Sequence, residues 1–139
     1  MNTQNQDREF FLFVVREMTM SMTGKQSTKH WGKDVLWYDI PPFASRGIEP
    51  AIKMFDTVFN SFESYNVSIL ETDVIMTELM GVVCTIQKID VVFKDGSNRT
   101  IMVRETDVFK KDDNSQWSLV HQHASTPFGG DWDGKITTA

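Results

Sequence analysis

The chain has 139 residues, of which 40% are hydrophobic and 24% are charged, a composition that excludes a disordered or fibrous chain and indicates one folded domain. Its formal net charge of −5 argues against nucleic acid as a partner, since a basic surface normally neutralises the phosphates. The longest apolar run (10–15) is far shorter than the roughly 20 residues that span a membrane, and one cysteine cannot form an intramolecular disulfide, so we expect a cytoplasmic protein without a membrane partner.

The first half of the chain is predicted to be mostly helical. Apolar residues recur at helical spacing over residues 6–22 and again over 50–62, where a proline suits the first helical turn. A short second helix is predicted around 27–31, because Ser and Thr are good helix caps. Residues 35–40 are predicted to form a strand, which the two prolines that follow would end.

The second half is typical of a strand meander. Four segments rich in Val, Ile, Thr and Phe are separated by turn residues, at 66–77, 80–94, 98–110 and 115–125. The connections around 94–98 and 112–115 are too short for a crossover helix, so the strands that they join are antiparallel. We therefore predict an α+β fold, with three N-terminal helices packed on one face of a strongly curved, mostly antiparallel sheet. Residues 1–126 would form this domain, and the Gly-rich residues 127–139 an irregular tail.

Side-chain alternation along the strands suggests which residues face inward. On the last strand Trp117, His121 and His123 share a face, and Arg104 belongs to one face of the strand before it. Near the first strand, Trp37 and Asp39 share a face. If these faces line one concavity, it contains a carboxylate, a guanidinium, two imidazoles and an indole.

The charged candidates each allow two interpretations. A carboxylate at Asp39, in apolar surroundings, would have a raised proton affinity and could act as a general base. It could equally be a strand-end residue that hydrogen-bonds the turn at Pro41 and Pro42. Arg104 could bind a substrate anion through two hydrogen bonds, or it could pair with Asp39 or another internal acid.

The pair His121 and His123 could bind a metal ion if a third ligand converged on it. No third ligand lies nearby in sequence, so we expect no metal ion and no other cofactor. Imidazole titrates near neutrality, which makes these histidines candidate acid–base or hydrogen-bonding groups.

Four segments together resemble the nuclear-transport-factor-2-like superfamily: KDVLWYDIP at 33–41, RGIE at 46–49, RETDVF at 104–109 and QWSLVHQHAS at 116–125. The last two are similar to the final strand pair of its SnoaL-like branch, and the resemblance covers about residues 7–126. It implies a cone-shaped α+β fold with an internal pocket, commonly built as a homodimer through the outer sheet face. The superfamily includes ketosteroid isomerases, polyketide cyclases, dehydratases, dioxygenase small subunits and a kinase association domain, so the fold leaves the chemistry open.

The resemblance implies a role for Asp39, which matches the proton-shuttling aspartate of the ketosteroid isomerases. Those enzymes also use a tyrosine on the first helix and a protonated aspartate on a later strand. Here the first helix has no tyrosine, and Arg104 is interpreted as standing in place of the strand aspartate. A true ketosteroid isomerase is therefore not expected.

These observations favour a small-molecule pocket protein of the SnoaL-like type. If it is an enzyme, it would perform cofactor-free isomerisation, cyclisation or dehydration of a carbonyl compound. Asp39 would abstract the proton, Arg104 would hold the developing anion, and His121 or His123 would donate or relay a proton. Apolar walls would come from Trp31, Trp37 and Trp117. The alternatives are a non-catalytic ligand-binding or dimerisation module, or an accessory subunit of a larger enzyme.

A homodimer is expected from the family resemblance and from one feature of the strands. Val103, Phe109 and Val120 are predicted to form an apolar outer face, and exposed apolar patches of this kind commonly mark interfaces.

Overall fold

The computed structural model of the protein describes residues 2–40 and 44–126. Within these residues the elements in chain order are α1 (Thr3–Thr19), α2 (Gly24–Ser27), β1 (Trp31–Tyr38), β2 (Ala44–Arg46), α3 (Ile48–Asn60), β3 (Phe62–Met76), β4 (Met80–Phe93), β5 (Asn98–Lys111) and β6 (Trp117–Ser125). No helix in this part of the chain is long and apolar enough to cross a membrane. The predicted tail at 127–139 lies outside the described residues.

The strands form one mixed sheet in the order β2-β1-β6-β5-β4-β3. The meander β3 to β6 is antiparallel throughout, as the short turns predict. The last strand, β6, then pairs in parallel with β1, which is possible because the long meander separates these two strands in the chain. The α+β prediction, with three helices against a curved sheet, is confirmed.

The second helix is shorter than predicted and begins where the first helix was expected to end. Thr23 is the cap of α2, its side chain accepting a hydrogen bond from the Gln26 N–H. A Cβ atom at Gly24 would lie only 2.2 Å from the carbonyl oxygen of Ile52. This glycine therefore allows α2 to touch the backbone of α3. The chain then turns, so that Trp31 begins β1 instead of belonging to a helix.

The core lies between the helices and the concave face of the sheet. Phe11 on α1 is fully buried and stacks on Phe109 of β5, with 4.7 Å between the ring centroids. Phe55 on α3 stacks on the buried Trp37 of β1 at 4.6 Å. Aromatic pairs of this kind dominate the packing of a small core. They fix both long helices on the sheet.

A β-bulge in β6 sets which of its side chains face inward. Val108 pairs with His121, yet its neighbour Phe109 pairs with Leu119, so β6 has one extra residue, Val120, at this point. An extra residue reverses the alternation of the side chains beyond it. Leu119 faces the core before the bulge, whereas His121 faces away after it.

The prediction that Val103 and Phe109 belong to an apolar outer face of the long strands is wrong. Val103 and Phe109 are 3% and 0% exposed and lie on the concave side. Val120 is half-buried at the bulge. The convex face has other apolar residues instead, among them Val82, Ile86 and Val108, which are aligned by the register of β4 and β5.

Candidate functional site

A cavity of about 270 Å³ lies between the helices and the concave face of the sheet. Its walls are mostly apolar, and the aromatic part includes Phe55, Phe59 and Phe62. Its polar lining residues are Thr19, Ser27, Asp39, Tyr65, Gln87, Glu105 and Gln122. An apolar cavity with a few convergent polar groups has the character of a small-molecule site.

Asp39 lines this cavity immediately after the end of β1. Its Oδ1 accepts a hydrogen bond of 2.8 Å from the N–H of the following residue, Ile40. Burial raises the pKa of this carboxyl above its ordinary value, and the bond from Ile40 opposes the rise. Asp39 thus makes a local strand-end bond while also facing the cavity.

Two further carboxyl groups, Glu105 and Asp107, lie on the concave side of β5. Glu105 lines the cavity, and Asp107 beside it is 0% exposed. Burial, together with repulsion from Asp107 and Asp39, raises the pKa of Glu105 well above its usual range. Burial also raises the pKa of Asp107, to about 6, against hydrogen bonds from Glu105 and Gln122 that lower it. Glu105 at the cavity wall therefore holds its proton more readily than an ordinary carboxyl, whereas hydrogen bonds oppose the same rise at Asp107 behind it.

Gln122 on β6 connects these carboxyls to the core. Its Oε1 accepts from the Trp37 indole N–H at 3.1 Å. Its Nε2 donates to Asp107 Oδ1 at 2.8 Å and approaches Glu105 Oε1 at 3.5 Å. The other carboxylate oxygen of Asp107, Oδ2, has no hydrogen-bond partner among the described residues. The buried amide of Gln122 thus links the carboxyls of Asp107 and Glu105 to the Trp37 indole in the core.

The structure places Arg104 away from this group. As predicted, Arg104 lies on the opposite face of β5 from Glu105 and Asp107. However, the face of Glu105 and Asp107 is the inward one, and the Arg104 side chain is exposed on the outward face. The inward assignment of Arg104 is therefore wrong. Its neighbours on the convex side are Glu71, Asp73 and Cys84, and it does not touch Asp39.

The predicted inward face of His121 and His123 is also wrong. Because the β6 bulge reverses the alternation, both rings lie on the convex side and pack edge-to-face against Tyr38, with centroid distances of 5.5 and 5.8 Å. The Nδ1 atom of His121 lies 2.7 Å from the Leu36 carbonyl oxygen. Neither histidine lines the cavity.

The three tryptophans predicted as cavity walls pack elsewhere. Trp31 and Trp37 are buried in the core, where they stand behind the cavity instead of lining it. Trp117 packs against Phe11 in the middle of α1 and donates to Asp7 Oδ1 at 3.0 Å. Of the seven residues proposed from sequence for the site, the structure brings only Asp39 into the cavity.

Metal ligands do not converge in the part of the chain that the structure describes: no three His, Cys, Asp or Glu side chains there are placed to hold an ion. The carboxyls of Asp39 and Glu105 at the cavity and of Asp107 behind it interact by charge and hydrogen bonding. Their arrangement is suited to sharing protons.

The sequence contained one usable signal for Glu105 that sequence reasoning missed. On β4 the charged Lys88 and Asp90 mark the solvent face, and the hairpin register pairs Lys88 with Met102. Counting from that pair places Glu105 inward. Gln122 had no comparable signal, because nothing in the residues around Val120 announces a bulge.

The family model described as the SnoaL-like domain matches residues 17–129. The chain belongs to the SnoaL-like family. The match contains Asp39, Glu105, Asp107 and Gln122, so the acidic group and its amide partner lie within the SnoaL-like domain. No curated protein matches this SnoaL-like chain in sequence.

Solved structures of the NTF2-like superfamily share the fold. A superfamily protein from Salmonella enterica serovar Typhimurium superposes with a TM-score of 0.83 at 15% identity, covering 96% of this chain and 99% of its own. A protein named as a candidate scytalone dehydratase from Novosphingobium aromaticivorans gives 0.80 at 13% identity, covering 99% and 93%. One named as a candidate ketosteroid isomerase from Parabacteroides distasonis gives 0.65 at 16%, covering 86% of each chain. The SnoaL-like chain therefore has the cone fold of this superfamily, and at such identities the likeness concerns the fold alone.

Proposed function

We propose that the protein catalyses cofactor-independent proton transfer on a neutral carbonyl compound, as an isomerase or dehydratase. The observation that carries this proposal is that the carboxyls of Asp39 and Glu105 line one apolar cavity. We assign Glu105 as the acid, because burial and repulsion from Asp107 and Asp39 raise its pKa well above the usual range, and Asp39 as the base. Pairs of titratable groups whose surroundings separate their pKa values are the usual basis of acid–base assignments.

Asp39 takes a proton from the carbon next to the carbonyl group. Glu105 donates a hydrogen bond to the carbonyl oxygen as negative charge develops there. In isomerisation Asp39 then returns the proton to another carbon. In dehydration Glu105 protonates a leaving hydroxyl group instead, and the proton on Asp39 restores Glu105. Both reactions are served by the same two groups.

The lining of the cavity favours an uncharged substrate. Among the described lining residues there is no Lys, Arg or His. An anionic ligand would lie beside the carboxyls of Asp39 and Glu105 without a cation to compensate it, which is costly in an apolar cavity. The aromatic rings of Phe55, Phe59 and Phe62 are suited to an apolar ring system.

The corrected orientation of β5 changes the comparison with the ketosteroid isomerases. The protonated aspartate that those enzymes have on a later strand has a counterpart in the inward-facing Glu105. The outward-facing Arg104 therefore no longer argues against an acid at this position. The helix tyrosine still has no counterpart, because α1 contains no tyrosine. Tyr65 lines the cavity from β3, but its hydroxyl donates to the Ser21 carbonyl oxygen. We therefore assign the oxygen-binding role to Glu105 alone.

Deuterium exchange tests the proposal without knowledge of the natural substrate. Apolar bicyclic ketones such as 1-tetralone are incubated with the protein in D₂O, and loss of the α-proton signal is followed by NMR. We expect catalysed exchange that Asp39→Asn abolishes and Glu105→Gln slows by about 10²-fold, the scale of one catalytic hydrogen bond. Asp34→Asn, an exposed carboxylate of β1, is the matched control and should be silent.

The same experiment separates the alternatives. Ketones that bind in a fluorescence titration but exchange no faster than in buffer would indicate a non-catalytic ligand-binding module. Exchange that survives Asp39→Asn at the parental rate would refute the assignment of the base. An accessory subunit with a filled cone is disfavoured by the cavity itself.

A further inference from the structure

The bulge and the sheet register bring Gln122 between two partners. Gln122 pairs with Trp37 across the parallel β1–β6 ladder and with Asp107 across the antiparallel β5–β6 ladder. Paired residues of neighbouring strands project to the same side of a sheet. All three side chains therefore project into the concave side, and all three are at most 5% exposed.

Trp37 determines the orientation of the Gln122 amide. An indole N–H can only donate a hydrogen bond, so the atom that it meets must be the amide oxygen of Gln122. The Trp37 ring is itself held by stacking on Phe55 at 4.6 Å. With Oε1 facing Trp37, the amide NH₂ must face the carboxyls, and it is closer to Asp107 (2.8 Å) than to Glu105 (3.5 Å).

We propose that Trp37 and Gln122 are positioning residues that determine which carboxyl of the pair keeps its proton. The oriented NH₂ group stabilises the carboxylate of Asp107, and the remaining proton stays on Glu105, which lines the cavity. This inference rests on the proposed function, in which Glu105 acts as the acid. A reversed amide would present its oxygen to Asp107 and favour a proton there.

The other titratable groups near the pair act together with the amide. Asp39, after β1, adds repulsion that raises the pKa of Glu105, and His121 on β6 lowers that of Asp107. Tyr65 faces the cavity from β3, and β4 contributes the neutral Gln87. The hydrogen bond from Gln122 is the contribution that depends on the Trp37 N–H, so a substitution that removes this N–H can alter it while leaving these groups in place.

The test is a ¹³C NMR titration of the side-chain carboxyls in the full chain, which needs no ligand. Trp37→Phe keeps an aromatic ring in the core but removes the N–H group. We expect the titration midpoint of Asp107 to rise by about 1–2 units, since a hydrogen bond to a charged group contributes on that scale. Glu105 should lose protonation correspondingly at neutral pH.

Trp117→Phe is the matched control. Trp117 is also an indole, partly buried, but its N–H donates to Asp7 Oδ1 at 3.0 Å, so its loss should leave both midpoints unchanged. An unchanged Asp107 midpoint in Trp37→Phe, or equal shifts in the two variants, would overturn the proposal. If Trp37→Phe does not fold, Gln122→Leu removes the amide that donates to Asp107 and should raise the same midpoint; no rise there overturns the proposal equally.

The titration can fail or succeed independently of catalysis. If ketone exchange is absent but the Asp107 midpoint moves in Trp37→Phe, the proton-positioning network stands and the proposed reaction falls. If exchange is present and the midpoint does not move, the reaction stands and Trp37 has only a packing role. If both hold, the pH profile of exchange in Trp37→Phe should shift together with the midpoints.

Discussion

The buried carboxylate of Asp107 should make the protein less stable at neutral pH than in mild acid. The pKa of Asp107 in the folded protein lies at about 6, above its ordinary value of 3.8. The folded state therefore binds more protons than the unfolded chain between these values. The stability from this group is complete below pH 3.8 and is lost as the pH rises through 6.

The size of this effect follows from the shift. Moving from 3.8 to about 6 corresponds to a loss of about 3 kcal/mol once Asp107 is ionised. Asp107→Asn removes the ionisation while keeping the shape, and its amide oxygen can still accept from Gln122 Nε2. We therefore expect the variant to be more stable than the parent above neutrality, by about 1–3 kcal/mol, and nearly equal to it below about pH 4.

Urea unfolding followed by tryptophan fluorescence at about pH 4 and about pH 8 measures this directly. The difference between parent and variant should be several times larger at the higher pH. Asp73→Asn, on the exposed side of β3, is the control and should change stability little at either pH. If Asp107→Asn is as stable as the parent or less stable at the higher pH, the carboxylate does not destabilise the folded state and our reasoning on proton sharing fails with it.

Further predictions concern Arg104, the close contact at Gly24, the charge of the ligand and the oligomeric state. Arg104→Met should leave ketone binding and exchange unchanged, because Arg104 lies on the convex face; a loss of affinity in calorimetry would return it to the site. Gly24→Ala should lower the unfolding free energy by about 1–3 kcal/mol through overpacking against the backbone of Ile52, as measured in urea. A matched ketone and carboxylate should differ at least tenfold in affinity in favour of the ketone, by calorimetric titration. The expected homodimer should be seen by sedimentation equilibrium, and Val108→Glu on the convex face should dissociate it; a parent chain that sediments as a monomer contradicts the expectation.

The fold was predictable from the sequence because its signals are local and repeated. The strand segments with their turn residues gave β4 to within one residue, 80–94 predicted against Met80–Phe93. The first strand was harder. Its beginning at Trp31 was assigned to a helix, because the caps around 27–31 could not show where α2 ends.

The site was predictable only at Asp39, whose position at a strand end before two prolines is unusual. On β5 each face has two apolar and two polar residues, so alternation alone could not say which face is inward. On β6 the regular alternation was the natural expectation, and one inserted residue reversed it for His121, Gln122 and all that follow. Such a reversal depends on pairing with β5 and β1, which are distant in sequence.

The same bulge ties the chemistry of the cavity to the pairing of one strand. If β6 paired regularly through Val120, without the bulge, the positions of His121 and His123 would turn toward the acidic group and that of Gln122 outward. Two imidazoles would then stand where one amide stands now. A slip of one residue in the pairing of β6 can thus exchange a proton-holding network for a proton-relaying one.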